Sequence, residues 1–223
     1  MPQPRFASVL FDCDGTLLDT IGDLAYAGNL VCQAHGWPQH DEEAFKRMVG
    51  DGQRVLVSRF VPVEIEDDEQ ALDAVYQEFV IAYGAHKKDT TGPYAGIVDC
   101  VRALRQAGVR VGVLTNKNHD QAVPLVGEFF GEMFDAVQGR VDGIEPKPEP
   151  PMTRMLMRAL GAEPGSTLMV GDTAVDIACG KNVGIATCGV LWGFRGRDEL
   201  EKAGADHIVS TPAQLSAYVL GTE

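Results

Sequence analysis

From residue 97 onward, short apolar runs alternate with stretches of helical periodicity, a rhythm that few architectures satisfy. Runs this uniformly apolar are buried on both faces, the condition of a parallel sheet covered by helices. Strands are expected at residues 6–11, 109–114, 134–138, 167–170, 184–190 and 206–209. Helices are expected at 97–106, 121–130, 152–160 and 175–181, and Gly108, Gly161 and Gly184 stand where left-handed helix ends are wanted. The expected class is α/β.

One segment breaks the rhythm. Residues 20–86 read as helices throughout, at 23–35, 42–49, 55–60 and 69–83, with Asp41 as an N-cap. An all-helical domain at 20–86 is therefore expected, inserted into a core formed by residues 1–19 and 87–223.

The formal net charge of −13 argues against a nucleic-acid partner. An acidic protein handling an anionic substrate needs local positive charge, and a metal ion is the usual source. The cysteines Cys13, Cys32, Cys100, Cys179 and Cys188 show no paired spacing, as expected of reduced thiols in a cytoplasm. No membrane partner is expected, since neither a signal-like apolar start nor a run of about 18 apolar residues occurs.

Chemistry-bearing residues follow the strands. The first strand ends in Asp12-Cys13-Asp14-Gly15-Thr16, so two carboxylates leave the sheet at its carboxyl edge, where open α/β sheets bind ligands. Carboxylates two residues apart on one side repel unless a cation separates their roles, and Mg2+ suits such hard oxygens. The Asp-x-Asp-Gly part of that segment also occurs as a plain surface turn. Thr115-Asn116 follows the second core strand, offering a hydroxyl before a helix expected from Asp120; it reads equally as a helix cap. Lys147, set between Pro146 and Pro148, is either a fixed ammonium or a solvated lysine in a stiff connector. Gly171-Asp172 ends another strand, with Asp176 one helical turn on, either completing a metal site or decorating a helix start.

Taken together, these four segments resemble the four motifs of the haloacid dehalogenase superfamily, and the resemblance runs essentially the full length. It implies a Rossmann-like core with residues 20–86 as a C1-type cap. It implies Asp12 as nucleophile, Asp14 as general acid and base, and Lys147 as catalytic cation. Thr115 and Asn116 would bind phosphate oxygens. Mg2+ would be held by Asp12, the Asp14 main-chain carbonyl and Asp172, with Asp176 behind them. The second aspartate favours phosphoryl transfer over dehalogenation. The stretches 48–57 and 190–195 resemble phosphoglycolate phosphatases, with Arg54 placed to meet a substrate carboxylate or simply exposed in a turn. Cys13 reads as a buried small hydrophobe, and Trp192 and Phe194 as packing residues. The implied partner is a small phosphorylated metabolite, handled by a monomer or small homo-oligomer. Rival readings are a phosphomutase of the β-phosphoglucomutase type, a phosphatase for a sugar phosphate, nucleotide or pyrophosphate, a phospho-receiver module and a non-catalytic scaffold.

Overall fold

The computed structural model describes residues 3–222 and divides into two compact units, one of residues 3–18 with 93–222 and one of residues 19–92. The sheet of the first unit is built from β1 (Ser8–Phe11), with β2 (Leu18–Asp19) and β3 (Gly92–Pro93) forming a separate ribbon where the chain crosses between units. It continues with β4 (Arg110–Asn118), β5 (Ala136–Arg140), β6 (Thr167–Gly171), β7 (Ala186–Val190) and β8 (His207–Val209). Its order is β5-β4-β1-β6-β7-β8, and every pairing is parallel.

The helices of the second unit are α1 (Ile21–His35), α2 (Glu42–Met48), α3 (Gln53–Phe60), α4 (Val63–Glu66) and α5 (Glu69–His86). Those of the first are α6 (Ile97–Gln106), α7 (His119–Phe130), α8 (Pro150–Leu160), α9 (Ala174–Asn182), α10 (Arg197–Ala203) and α11 (Pro212–Leu220). Asp41 caps α2, accepting from the Ala44 N–H at 2.7 Å. Gly108, Gly161 and Gly184 all have positive φ, as their positions after helices required.

Alternation along β1 sends Val9 and Phe11 to one side of the sheet and Leu10 to the other. The first group packs with Ile97, Leu104, Leu125 and Leu215 from α6, α7 and α11. Leu10 packs with Leu156, Met157 and Cys179 from α8 and α9. Each such large apolar side chain stabilises the fold by about 1.5–3 kcal/mol when fully buried. That sandwich fixes β1, and with it the residues that follow Phe11. The chain runs from β1 outward in one direction through β4 and β5, then returns to β6 on the other side. This order reversal beside β1 is the switch point where α/β sheets bind ligands.

The helical unit has its own core, in which Phe45, Phe60, Phe79 and Tyr83 stack in sequence at centroid separations of 5.9–6.0 Å. Asp23 at the start of α1 accepts from the Thr90 N–H and hydroxyl and from the Thr91 N–H, at 2.8, 2.6 and 3.0 Å. Sequence reading overlooked α4, α10 and α11. It also ended the second core strand at residue 114, whereas β4 continues through a register shift to Asn118. No helix among the described residues is long and apolar enough to cross a membrane.

Candidate active site

Parallel register brings the carboxyl ends of three strands level. Phe11 pairs with Val113 of β4 and with Val170 of β6, so Asp12, Thr115 and Asp172 emerge at one edge. The Asp12 N–H donates to the Val170 carbonyl at 2.9 Å, holding the first turn beyond β1 against β6. Gly15 completes that turn with φ +83, a region that side-chain-bearing residues avoid. Its missing side chain also makes room, because a Cβ there would lie 2.4 Å from Asp172 Oδ2.

Lys147 stands at the centre. Its Nζ lies 2.8 Å from Asp12 Oδ1 and 2.7 Å from Asp176 Oδ1, and its side chain is 1% exposed. The Asn116 amide holds the backbone that carries it, donating to the Lys147 carbonyl at 3.0 Å and accepting from the Lys147 N–H at 2.8 Å. Asp176 is tied further by the Thr173 N–H and hydroxyl, which close a capping box on α9. Asp172 accepts from the Thr16 hydroxyl at 3.0 Å and from the Phe194 N–H at 2.8 Å. The Thr115 hydroxyl accepts from the Lys117 N–H at 3.1 Å, and its own hydrogen remains available for donation.

One oxygen from each of Asp12, Asp172 and Asp176 falls within 4.8 Å of the others, all three residues being buried. With Asp14, four carboxylates are paired among the described residues with two ammonium groups, Lys147 and Lys117. The imbalance shows in the protonation equilibria. Burial pushes the Asp12 carboxyl up to about 7, with Lys147 pulling it down and the Asp176 charge adding to the rise. Burial, then the Asp176 and Asp12 charges, raises Asp172 well above the usual carboxylate range. Burial works to lower the Lys147 ammonium, but Asp12 and Asp176 outweigh it and raise it. Two surplus negative charges on hard oxygens, packed against a glycine turn, suit one divalent cation.

The sequence profile of the haloacid dehalogenase-like hydrolases matches residues 9–190, a span holding the four acids and both lysines just described. The chain belongs to that family. It is 35% identical to a phosphoglycolate phosphatase of Chromobacterium violaceum, over 96% of this chain and 97% of that one. It is 32% identical to an N-acetylmuramic acid 6-phosphate phosphatase of Pseudomonas aeruginosa, over 96% and 95%. A crystal structure of a candidate phosphoglycolate phosphatase from Lactobacillus delbrueckii subsp. bulgaricus superposes with a TM-score of 0.90 at 32% identity, covering 97% of this chain and 99% of that one.

In this hydrolase the residues named from sequence largely converge, with departures at Asn116, Asp14 and Arg54. Asp12, Asp172, Asp176, Lys147 and Thr115 share one neighbourhood. The Asn116 side chain bonds the Lys147 backbone through both its amide nitrogen and its amide oxygen, a structural tie in addition to the phosphate role expected of it. The Asp14 side chain meets Lys117 and does not join the cluster of Asp12, Asp172 and Asp176 oxygens. Arg54, expected to reach for a substrate carboxylate, places Nε 2.6 Å from Asp73 Oδ1 within the helical unit, so only its terminal nitrogens remain for a ligand. Cys13 is fully buried in the apolar core, as its position between the two acids required. Trp192 packs partly against that core, and its indole N–H donates to the Thr16 carbonyl at 3.0 Å. Two contributors escaped sequence reading. Lys117 was passed over because the strand was ended before it, and the part played by Phe194 because its main-chain N–H, not its ring, braces Asp172.

Proposed function

We propose that this chain is a Mg2+-dependent phosphatase of small organic phosphomonoesters, working through a phosphoaspartate on Asp12. The observation that carries the reading is the buried ammonium of Lys147 bridging Asp12 and Asp176 beside Asp172. An unpaired carboxylate so deeply buried would take a proton and lose its nucleophilicity; Lys147 opposes that, pulling the Asp12 carboxyl down against the rise that burial causes.

In the first step Asp12 attacks phosphorus in line, forming an O–P bond as the bond to the leaving oxygen breaks. Asp14 gives that oxygen its proton, and the alcohol departs. In the second step water attacks the phosphoaspartate, surrenders a proton to Asp14, and releases inorganic phosphate. Both aspartates return to their starting forms. Thr115 donates its hydroxyl hydrogen to a phosphoryl oxygen, and Lys147 neutralises charge on the others. Mg2+, held by Asp12, Asp172 and the Asp14 carbonyl, would supply further neutralisation of the phosphoryl oxygens.

For the substrate we propose 2-phosphoglycolate. The phosphoglycolate phosphatase among the relatives supports it. The N-acetylmuramic acid 6-phosphate phosphatase relative favours a second reading, a sugar-acid phosphate, at nearly equal identity. Both relatives are named for phosphomonoesters of an organic acid. Buried free thiols at all five cysteines fit the reducing cytoplasm proposed as its location.

The test is phosphate release from a panel of 2-phosphoglycolate, N-acetylmuramic acid 6-phosphate, hexose phosphates, a nucleotide and pyrophosphate, each with Mg2+ and with EDTA. The highest kcat/KM is expected for 2-phosphoglycolate, with activity lost in EDTA. A sugar-acid phosphate at the top would replace the substrate assignment. No hydrolysis of any compound, or full activity in EDTA, would overturn the phosphatase and metal assignments respectively. Interconversion of sugar phosphates dependent on glucose 1,6-bisphosphate would establish a mutase instead.

A further inference from the structure

Lys117 has no part in the chemistry so far, yet it is among the most deeply buried charges in the molecule. Its side chain is 1% exposed and meets an acid 103 positions away in the chain. The Nζ donates to Asp14 Oδ2 at 3.1 Å. It also lies 3.0 Å from Asp14 Oδ1, as a charge contact without the angle of a hydrogen bond. Oδ1 is buried and accepts no hydrogen bond among the described residues. Both carboxylate oxygens are therefore held against one ammonium, Oδ2 by a hydrogen bond and the buried Oδ1 by charge alone, which fixes the plane of the carboxylate.

The anchor is rigid for reasons written into the local backbone. Lys117 lies in the register shift of β4, where its N–H donates to the Thr115 hydroxyl. Neighbouring β5 carries Gly139, where a Cβ would come within 2.7 Å of His119 Cα and 2.8 Å of the Lys117 carbonyl. A side chain there would push the shifted segment away, so Gly139 lets it sit close. The hydroxyl offered to phosphate and the ammonium holding Asp14 are thus spaced by one piece of backbone.

We propose that Lys117 is a positioning residue that sets the Asp14 carboxylate for proton exchange with the leaving oxygen and the attacking water. The inference rests on the reading of Asp14 as proton donor, and its test separates the two. An alkyl leaving group needs a proton from Asp14, whereas p-nitrophenolate departs without one. The quantity to measure is kcat/KM, which reports events up to departure of the leaving group. In Lys117→Met, kcat/KM for 2-phosphoglycolate, or for whichever alkyl phosphate leads the panel, is expected to fall at least tenfold more than for p-nitrophenyl phosphate. Asp14→Asn should show the same split, and the double variant should be no worse than Asp14→Asn alone, since both changes remove one function.

Equal losses on both substrates in Lys117→Met, beside a clear split in Asp14→Asn, would overturn the positioning role and leave Asp14 as proton donor. An additive double variant would do the same. No split in Asp14→Asn would remove the proton-donor assignment and this inference with it. Should Lys117→Met fail to fold by circular dichroism, Lys117→Arg carries the test. It keeps the charge but not the single-point geometry, so a smaller split of the same sign is expected and a uniform loss counts against the proposal.

Discussion

Replacing Lys147 with methionine removes one ammonium and keeps most of the side-chain volume. Two charge-assisted contacts vanish, at 2.8 Å to Asp12 and 2.7 Å to Asp176, in a place where the lysine side chain is 1% exposed. Removing one partner of a buried ion pair costs about 3–5 kcal/mol, because the remaining charge is left uncompensated. Asp12, already pushed up to about 7, can relieve part of this by taking a proton, so the low end applies. For a chain of this size about 3 kcal/mol lowers Tm by roughly 6–12 °C. Activity should fall more sharply, since a protonated Asp12 is not a nucleophile and a donor to the phosphoryl oxygens is gone. Loss of one such preorganised donor is worth about 10²–10³ in kcat. The assays are thermal melting and phosphate release on the best panel substrate, both at neutral pH. A variant melting within about 2 °C of the parent and keeping more than about a tenth of its activity would refute this account of the lysine.

Gly15→Ala combines a positive φ of 83° with a Cβ placed 2.4 Å from Asp172 Oδ2, so Asp172 must move; a stability loss of about 1–2 kcal/mol and an activity loss of about 10²-fold are expected. Wild-type activity in that variant would show that the turn tolerates displacement. Asp23→Ala strips the acceptor from three donors on Thr90 and Thr91 and should cost on the order of 3 kcal/mol at pH 7 by chemical denaturation. Burial raises the Asp23 carboxyl, but those hydrogen bonds outweigh it and hold it below its usual value. Its contribution is thus present above about pH 4 and lost as pH falls through the lowered value, so the gap between parent and variant should narrow as the solution is acidified below about pH 4; a constant gap would contradict this. Without metal, Asp12 keeps its proton in the fold up to about 7, so its contribution to stability declines as pH rises from about 4 to about 7. The Tm gain on adding Mg2+ should grow over that window, and a gain independent of pH would argue against a cation bound there.

The sheet edge was legible because burial is written into composition. Residues 6–11 and 167–170 are too uniformly apolar to be anything but central strands, and they deliver Asp12 and Asp172 to the same edge. The helical insert was legible from its periodicity and from Asp41 as a cap. What could not be read depended on partners remote in sequence. Lys117 looked like an ordinary polar residue after a strand, because its burial is set by the shifted backbone beside Gly139 and by Asp14. Asn116 was assigned to phosphate since its residue type suits that task, while its backbone partner at Lys147 lies 31 positions away. Helix α10 offered little signal, burying only Leu200 in a segment otherwise charged or small. Arg54 was placed by its loop, and nothing local announced Asp73 as its neighbour.

Everything in the mechanism passes through one carboxylate oxygen. Asp12→Asn preserves shape and removes a buried negative charge from an overcharged site, so the variant should melt at or above the parent temperature. With the best panel substrate and saturating Mg2+, its phosphate release should be lost altogether. A well-folded Asp12→Asn protein that still turned over would contradict the phosphoaspartate, whatever the fate of the surrounding acids.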